Sequence, residues 1–173
     1  MLARFASPAP PPASFSAPEL AAVRHCFADG LGAEAVLARC DAAAADPRAA
    51  SFGLLRGAAA AVRRGSPTSV RLSLELLRRG EGLPLADCLA MELRVAFRLL
   101  ARGGKDGGKD GGGGADFYEG VRALLIDKDG APRWSPAALG DVRDEDVAAA
   151  FAPLEPDEEL FPEGRGKPWE CCI

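Results

Sequence analysis

The chain has 173 residues, of which 48% are hydrophobic and only 6% aromatic, and its formal net charge is −4. This acidic balance argues against a nucleic-acid partner, because phosphate binding needs a clustered excess of Lys and Arg. No apolar run approaches the roughly 20 residues that cross a bilayer, so we expect no membrane partner. Alanine supplies much of the hydrophobic fraction and buries little area, so any core rests on a limited set of larger side chains.

Residues 1–15 are rich in proline and alanine, which is typical of a linker. The first 18 residues contain no acid and several serines, as mitochondrial transit peptides do. However, five prolines in the same stretch oppose the amphipathic helix that such a peptide needs. The linker is therefore the favoured interpretation, and this segment is not a convincing transit peptide.

Residues 16–102 are predicted to form a helical region. Ser16 and Glu19 have the spacing of a capping box, which predicts the start of the first helix. A second helix is predicted over 33–45. Asp46 followed by proline predicts the cap of a third helix, which Gly65 ends.

Two more helices complete this region. Ser66 followed by proline repeats the start signal and predicts a fourth helix with a leucine-rich face. A fifth is predicted from about Pro84 to about Arg102. The next segment, 103–114, has eight glycines in twelve residues and predicts a flexible insert. A phosphate-binding loop is not favoured there, since no Gly-Lys-Ser/Thr follows.

Residues 115–154 are predicted to form a C-terminal helical block. Asp116 and Glu119 fit a cap and its third-position partner, which predicts the start of a sixth helix. A turn is predicted at 129–132, and Asp144 is predicted to cap a short helix with Val147 and Phe151 facing inward. Residues 155–173 are predicted to be an acidic flexible tail. No segment alternates like a strand, so the fold class is predicted to be all-α.

The sequence offers no catalytic residue that spacing can support. The single histidine, His25, has no serine or acid at triad-like spacing, so we interpret it as a packing or surface residue. The five cysteines form no CxxC pair, so we predict no metal site and no cofactor. Cys26, Cys40 and Cys88 lie among apolar neighbours and are interpreted as core residues in a reducing compartment.

Several blocks resemble one known family. These are Cys26-Phe27 with the helix that follows, SPTSV at 66–70, LADCLAMELRVAFRLL at 85–100, DFYEGVRALLIDKDGAPRW at 116–134 and VRDEDVAAAFAPL at 142–154. Together they resemble the segment after the catalytic core in the 3-hydroxyisobutyryl-CoA hydrolase family of the crotonase superfamily. The Asp-x-x-Glu-Gly-x-x-Ala element occurs throughout that superfamily, whereas the longer block with SPTS is more specific to the hydrolases.

The resemblance implies hydrolysis of an acyl-CoA thioester in valine catabolism, usually in mitochondria. It also implies the C-terminal helical part of a crotonase-like α/β fold, because the family's ββα core and its catalytic residues have no counterpart here. The chain alone is therefore expected to be inactive, and Met1 is expected to correspond to an internal position of a longer ancestor. By position in the family, Lys128 and Arg133 are the candidates to contact the CoA phosphates, with an exposed turn as the alternative.

Two other functions stay open. One is a non-enzymatic helical interaction module that docks on a crotonase-type core or on a paralogue. The other is part of an enoyl-CoA hydratase or isomerase. In each case CoA would belong to the substrate and would not be a bound cofactor.

Overall fold

A computed structural model describes residues 15–28, 30–49, 51–101 and 114–160. Across these ranges the chain is helical and contains no strand, which confirms the predicted all-α class. The predicted linker up to residue 14, the insert from 103 to 113 and the tail from 161 onward lie outside the described residues. The helices are α1 Ala17–Cys26, α2 Ala33–Ala43, α3 Phe52–Arg64, α4 Pro67–Gly80, α5 Leu85–Ala101, α6 Gly114–Val121, a π-helix Arg122–Ile126, a 3₁₀ turn Leu139–Asp141 and α7 Asp144–Ala150.

Local capping signals account for two helix starts. The Ser16 hydroxyl accepts a hydrogen bond from the Glu19 amide at 3.4 Å, and the Glu19 carboxylate accepts from the Ser16 amide at 2.7 Å. The Ser66 hydroxyl accepts from the Ser69 amide at 3.1 Å. Both contacts satisfy amides that a helix start leaves without partners, and they confirm the predicted starts of α1 and α4.

Three predicted caps are wrong. Asp46 does not cap α3, because its carboxylate accepts from the Arg48 amide at 2.9 Å in a turn, and α3 begins at Phe52. Asp116 is the third residue of α6, and Asp144 is the first residue of α7, where Arg143 holds the cap position without a side-chain bond. Asp144 instead pairs with Arg71, which ties α7 to α4.

Two small clusters of buried side chains hold the helices together. The N-terminal cluster joins α1, α2 and α3, and the C-terminal cluster joins α4, α5 and α7. The N-terminal cluster comprises Cys26, Val36, Cys40, Leu55 and Ala59, and the C-terminal cluster comprises Leu72, Met91, Val95, Val142, Val147, Ala150 and Phe151. The predicted inward positions of Val147 and Phe151 are therefore confirmed. No helix within the described ranges is long and apolar enough to cross a membrane.

Truncating Leu55 to Ala is expected to lower the free energy of unfolding by about 2–5 kcal/mol, because Leu55 is fully buried and leaves a cavity in the N-terminal cluster. Leu77→Ala is the matched control, since Leu77 is 72% exposed and its truncation should change stability by less than about 0.5 kcal/mol. Urea unfolding followed by circular dichroism measures both variants. Equal losses in the two would show that the N-terminal cluster is not packed as described.

Candidate functional site

The helix formed by α6 and the π-helix has one buried face. Asp116 and Ala123 are both almost completely buried on this face. Between them, Gly120 packs against the Trp134 ring, and a Cβ at Gly120 would lie 3.3 Å from Trp134 Cη2. The Trp134 indole N–H in turn donates to the Arg64 carbonyl at 2.9 Å, so the C-terminal block is anchored to the end of α3.

The buried Asp116 carboxylate links three segments that are far apart in sequence. One oxygen accepts from the Ser66 hydroxyl at 2.5 Å, and the other accepts from the Ser135 amide at 2.8 Å. Ser66 also caps α4, as described above. A buried carboxylate is costly unless its oxygens are hydrogen-bonded, and here each oxygen has a donor. Asp116 therefore connects the start of α4 to α6 and to the turn after Trp134.

Arg122 forms ion pairs with three carboxylates at the end of the same helix. It makes a two-bond pair with Glu119 at 2.7 and 2.9 Å and reaches Asp127 at 2.5 Å and Asp129 at 2.8 Å. The Glu119 carboxylate also accepts from the Arg133 amide at 2.7 Å. We refer to Glu119, Arg122, Asp127 and Asp129 as the Arg122 cluster. It folds the chain after the π-helix back onto α6.

The cluster has clear electrostatic consequences. The bonds from Arg122 and from the Arg133 amide lower the pKa of Glu119 to about 2. The Ala131 amide and then Arg122 lower the pKa of Asp129. The same acids raise the pKa of Arg122. Glu119, Asp129 and Arg122 therefore remain charged at neutral pH, and neither of these two acids is set up as a proton donor.

A group with a depressed folded pKa stabilises the fold above its unfolded pKa, and that contribution is lost as pH falls through the folded pKa. For Glu119 the window runs from the ordinary 4.5 down to about 2. An NMR titration of the Glu119 carboxyl is expected to show a midpoint near 2 that moves toward 4.5 in Arg122→Gln. The Lys128→Gln variant removes the same charge without touching Glu119 and should leave the midpoint in place. An unchanged midpoint in Arg122→Gln would contradict the cluster.

The opposite face of this helix is apolar and exposed. Leu124, Leu125 and Ile126 are 71%, 63% and 69% exposed, and Phe117 is 46% exposed about two turns earlier on α6. We refer to these four residues as the apolar face. This face belongs to the same helix whose other side is held in place by the contacts of Asp116 and Trp134. Because large exposed apolar patches mark interaction sites, the apolar face is a candidate interaction surface.

Comparison with known proteins assigns the family. Residues 1–151 match the family model described as enoyl-CoA hydratase/isomerase. The chain belongs to the enoyl-CoA hydratase/isomerase family. The chain is 46% identical over 94 residues to the mitochondrial 3-hydroxyisobutyryl-CoA hydrolase of Gallus gallus, which covers 54% of this chain and 21% of that protein. It is 37% identical over 110 residues to 3-hydroxyisobutyryl-CoA hydrolase-like protein 5 of Arabidopsis thaliana, covering 62% of this chain and 26% of that protein.

Two solved structures share the helical arrangement of this chain. A carnitinyl-CoA dehydratase from Mycobacterium thermoresistibile aligns with a TM-score of 0.61 at 30% identity, covering 90% of this chain and 38% of that chain. An enoyl-CoA hydratase from Rhodobacter sphaeroides aligns with a TM-score of 0.62 at 32% identity, covering 88% of this chain and 40% of that chain. These matches confirm the predicted resemblance and the fold class. The chain spans about a quarter or less of the length of the two curated relatives described above.

The two candidate CoA-phosphate residues, Lys128 and Arg133, are both next to members of the Arg122 cluster. Lys128 is exposed between Asp127 and Asp129, and its backbone has a φ of 56°, which is uncommon for a residue other than glycine. Arg133 is exposed, and its amide contacts Glu119. Lys128 forms no ion pair with any described residue. Both cations are thus exposed beside members of the Arg122 cluster, and their contact with CoA phosphates stays a prediction.

Sequence analysis missed the roles of Arg122 and Asp116. The spacing of Glu119 and Arg122, three residues apart, indicates only a pair along one helix, whereas Arg122 also reaches two acids beyond the helix end. No group of three or more His, Cys, Asp or Glu residues within the described ranges could hold a metal ion. The backbone carbonyl of His25 accepts from Arg39 at 2.9 Å, a contact that joins α1 to α2.

Proposed function

We propose that this chain forms the helical part of an acyl-CoA thioester hydrolase that acts on 3-hydroxyisobutyryl-CoA, and that it is inactive without the family's catalytic core. The observation that carries the substrate class is the 46% identity to the chicken 3-hydroxyisobutyryl-CoA hydrolase. Three of the related hydrolases, from chicken, mouse and human, are named as mitochondrial, which supports a mitochondrial location for this chain as well. A role in valine catabolism is proposed from the resemblance to this hydrolase family.

The apolar face is the surface that we propose docks on the catalytic core. Burying a leucine or isoleucine side chain is worth about 1.5–3 kcal/mol relative to leaving it in water. Three such side chains in succession, Leu124, Leu125 and Ile126, are more than half exposed. The opposite side of the helix is already occupied by Asp116, Gly120 and Trp134. Docking would therefore use the apolar face without disturbing these contacts.

The cations beside the Arg122 cluster are proposed to contact the CoA phosphates. Arg122 pairs with Asp127 and Asp129, so these acids offset the charge of Lys128 less than their sequence positions suggest. Charge-assisted bonds from Lys and Arg are the common means of holding phosphate. In a chain joined to an active core, Lys128→Ala with Arg133→Ala is expected to raise KM for the acyl-CoA about tenfold, with kcat nearly unchanged, because two exposed phosphate contacts worth about 0.7 kcal/mol each add up to about 1.4 kcal/mol, which is a tenfold change.

The matched control for this double variant is Arg24→Ala with Arg48→Ala, which removes two exposed cations from the other end of the chain. Steady-state kinetics on the acyl-CoA and on a truncated acyl-pantetheine separate the effects. The truncated substrate lacks the nucleotide phosphates, so its KM should not respond to the Lys128 and Arg133 changes. An equal rise in KM for both substrates would rule out the phosphate role.

Two alternatives have specific support. The alignment with an enoyl-CoA hydratase and with a carnitinyl-CoA dehydratase over about nine-tenths of this chain favours a hydratase or isomerase part. The exposed apolar face also suits a non-enzymatic module that binds a core or a paralogue. All three functions share the docking surface, and they differ in the reaction of the assembled protein.

The deciding experiment is a chimera in which this chain replaces the matched segment of the chicken hydrolase. We expect the chimera to release CoA from 3-hydroxyisobutyryl-CoA, whereas the isolated chain should release none above the buffer rate. The unmodified chicken enzyme is the positive control, and crotonyl-CoA hydration is measured in parallel. Turnover by the isolated chain would overturn the proposal, and so would a folded chimera that releases no CoA from 3-hydroxyisobutyryl-CoA.

A further inference from the structure

Two of the five buried residues of the N-terminal cluster are cysteines. Cys26, the last residue of α1, is 0% exposed, and Cys40 in α2 is 1% exposed. Both belong to the same cluster of five buried residues, so the two thiols share one small buried site. Neither is in a disulfide. Two thiols that share one buried site differ from a lone buried cysteine, because each is the nearest reaction partner of the other.

The surroundings of the two thiols slow their oxidation while α1 is packed against α2. Burial first, and then the neighbouring Cys26, raise the pKa of Cys40 to about 11. The thiolate is the reactive form of cysteine, so a protonated buried thiol attacks a disulfide slowly. Helix α1 must therefore separate from α2 and expose the two sulfurs before they can react.

Helix α1 is the element that such a reaction would control. Its described packing is mainly against α2, through this pair and through the bond from the Arg39 guanidinium to the His25 carbonyl at 2.9 Å. The connection between the two helices contains Gly30 with a φ of 75°, a conformation that glycine adopts at little cost. Separation of α1 from α2 about this connection would expose both sulfurs together.

We propose that Cys26 and Cys40 form a reversible disulfide that staples α1 to α2, with a low-molecular-weight disulfide such as oxidised glutathione as the oxidant. One thiolate attacks oxidised glutathione and releases one reduced glutathione. The second thiolate then attacks the mixed disulfide and releases another. The two S–H bonds are lost, one S–S bond forms, and the two electrons and two protons leave in two molecules of reduced glutathione. This inference does not depend on the proposed hydrolase function.

Cys88 provides an internal comparison. It is only partly buried in α5, and its Sγ lies 3.7 Å from the Gly80 carbonyl and 3.9 Å from the Leu83 carbonyl. It has no cysteine partner among the described residues. We expect Cys88 to form a mixed disulfide with one glutathione and not to form a disulfide with another cysteine of the chain. Cys171 and Cys172 lie outside the described residues, so the test must exclude them.

The test uses the full chain carrying Cys88→Ser, Cys171→Ser and Cys172→Ser, which leaves Cys26 and Cys40. After incubation with oxidised glutathione, we expect an intact mass lower by two hydrogen atoms. Trypsin should release peptides 25–39 and 40–48 as one linked species that a reductant separates. The melting temperature should rise by several degrees, because a cross-link removes freedom from the unfolded chain. A low urea concentration should speed the reaction.

Two single variants, Cys26→Ala and Cys40→Ala on the same background, should stop at a glutathione adduct on the remaining cysteine. Circular dichroism establishes that each variant is folded before oxidation. The peptide map of the unsubstituted chain does not depend on these variants folding. Glutathione adducts without the linked peptides, or linked peptides that join other cysteines instead, would overturn the proposal.

Discussion

Replacing Leu124 with Asp is expected to weaken the binding of this chain to a family catalytic core about 100-fold while leaving the chain folded. Leu124 is 71% exposed on the apolar face. Burial of a leucine is worth about 1.5–3 kcal/mol, and a buried unpaired carboxylate adds a further penalty. Since 1.4 kcal/mol corresponds to a tenfold change, the two losses together give this magnitude. Isothermal titration of the chain into the separately expressed core measures it.

The fold should tolerate this change, because an exposed side chain contributes little to stability. We expect Leu124→Asp to change the free energy of unfolding by less than about 0.5 kcal/mol. Leu77→Asp is the matched control, since Leu77 is equally exposed but lies on α4. It should bind the core as the unsubstituted chain does. If Leu124→Asp binds normally, or if both variants lose affinity equally, the apolar face is not the docking surface.

The parts of the fold that depend on neighbouring residues could be predicted from the sequence. The caps at Ser16 and Ser66 involve residues three apart, and the helices they start were predicted correctly. The start of α3 was not, because Asp46 can either cap a helix or close a turn with the amide two residues on, and it does the latter. Pattern alone does not decide between these two local uses of the same side chain.

The contacts that position the candidate site depend on distant residues and could not be predicted. Asp116 and Glu119 have the spacing of a cap, but the Asp116 carboxylate bonds to Ser66, fifty positions earlier. The reach of Arg122 to Asp127 and Asp129 requires the wider π-helix and the unusual backbone of Lys128. Helical spacing gives no signal for either feature.

The exposure of one side of α6 could not be predicted from the hydrophobic periodicity either. Phe117, Leu124 and Leu125 have the spacing of a helix face that packs inward. In the chain as described, this face is exposed, and the residues opposite it, Asp116 and Ala123, are buried. A hydrophobic pattern marks a face that is to be covered, but it does not show whether this chain or another part of the protein covers it.

Replacing Asp116 with Ala is expected to lower the free energy of unfolding by about 3 kcal/mol. The change removes the acceptors of both the Ser66 hydroxyl and the Ser135 amide. A hydrogen bond to a charged group is worth about 1.5–3 kcal/mol, and the buried Ser66 hydroxyl left without its acceptor adds to the loss. Because Ser66 also caps α4, the loss is expected to loosen the junction between α4, α6 and the turn after Trp134.

Asp116→Asn distinguishes the hydrogen bonds from the negative charge. The Asn amide oxygen can still accept from the Ser135 amide, and its NH₂ group can donate to the Ser66 hydroxyl. We therefore expect Asp116→Asn to lose about half as much stability as Asp116→Ala. Asp157→Ala, at an exposed position, is the charge-matched control and should be nearly neutral. Urea unfolding gives the three values, and amide exchange at Ser135 reports the local contact directly. If Asp116→Ala is as stable as Asp157→Ala, the carboxylate does not connect α4 to the C-terminal block, and another contact must hold α6 in the orientation that presents the apolar face.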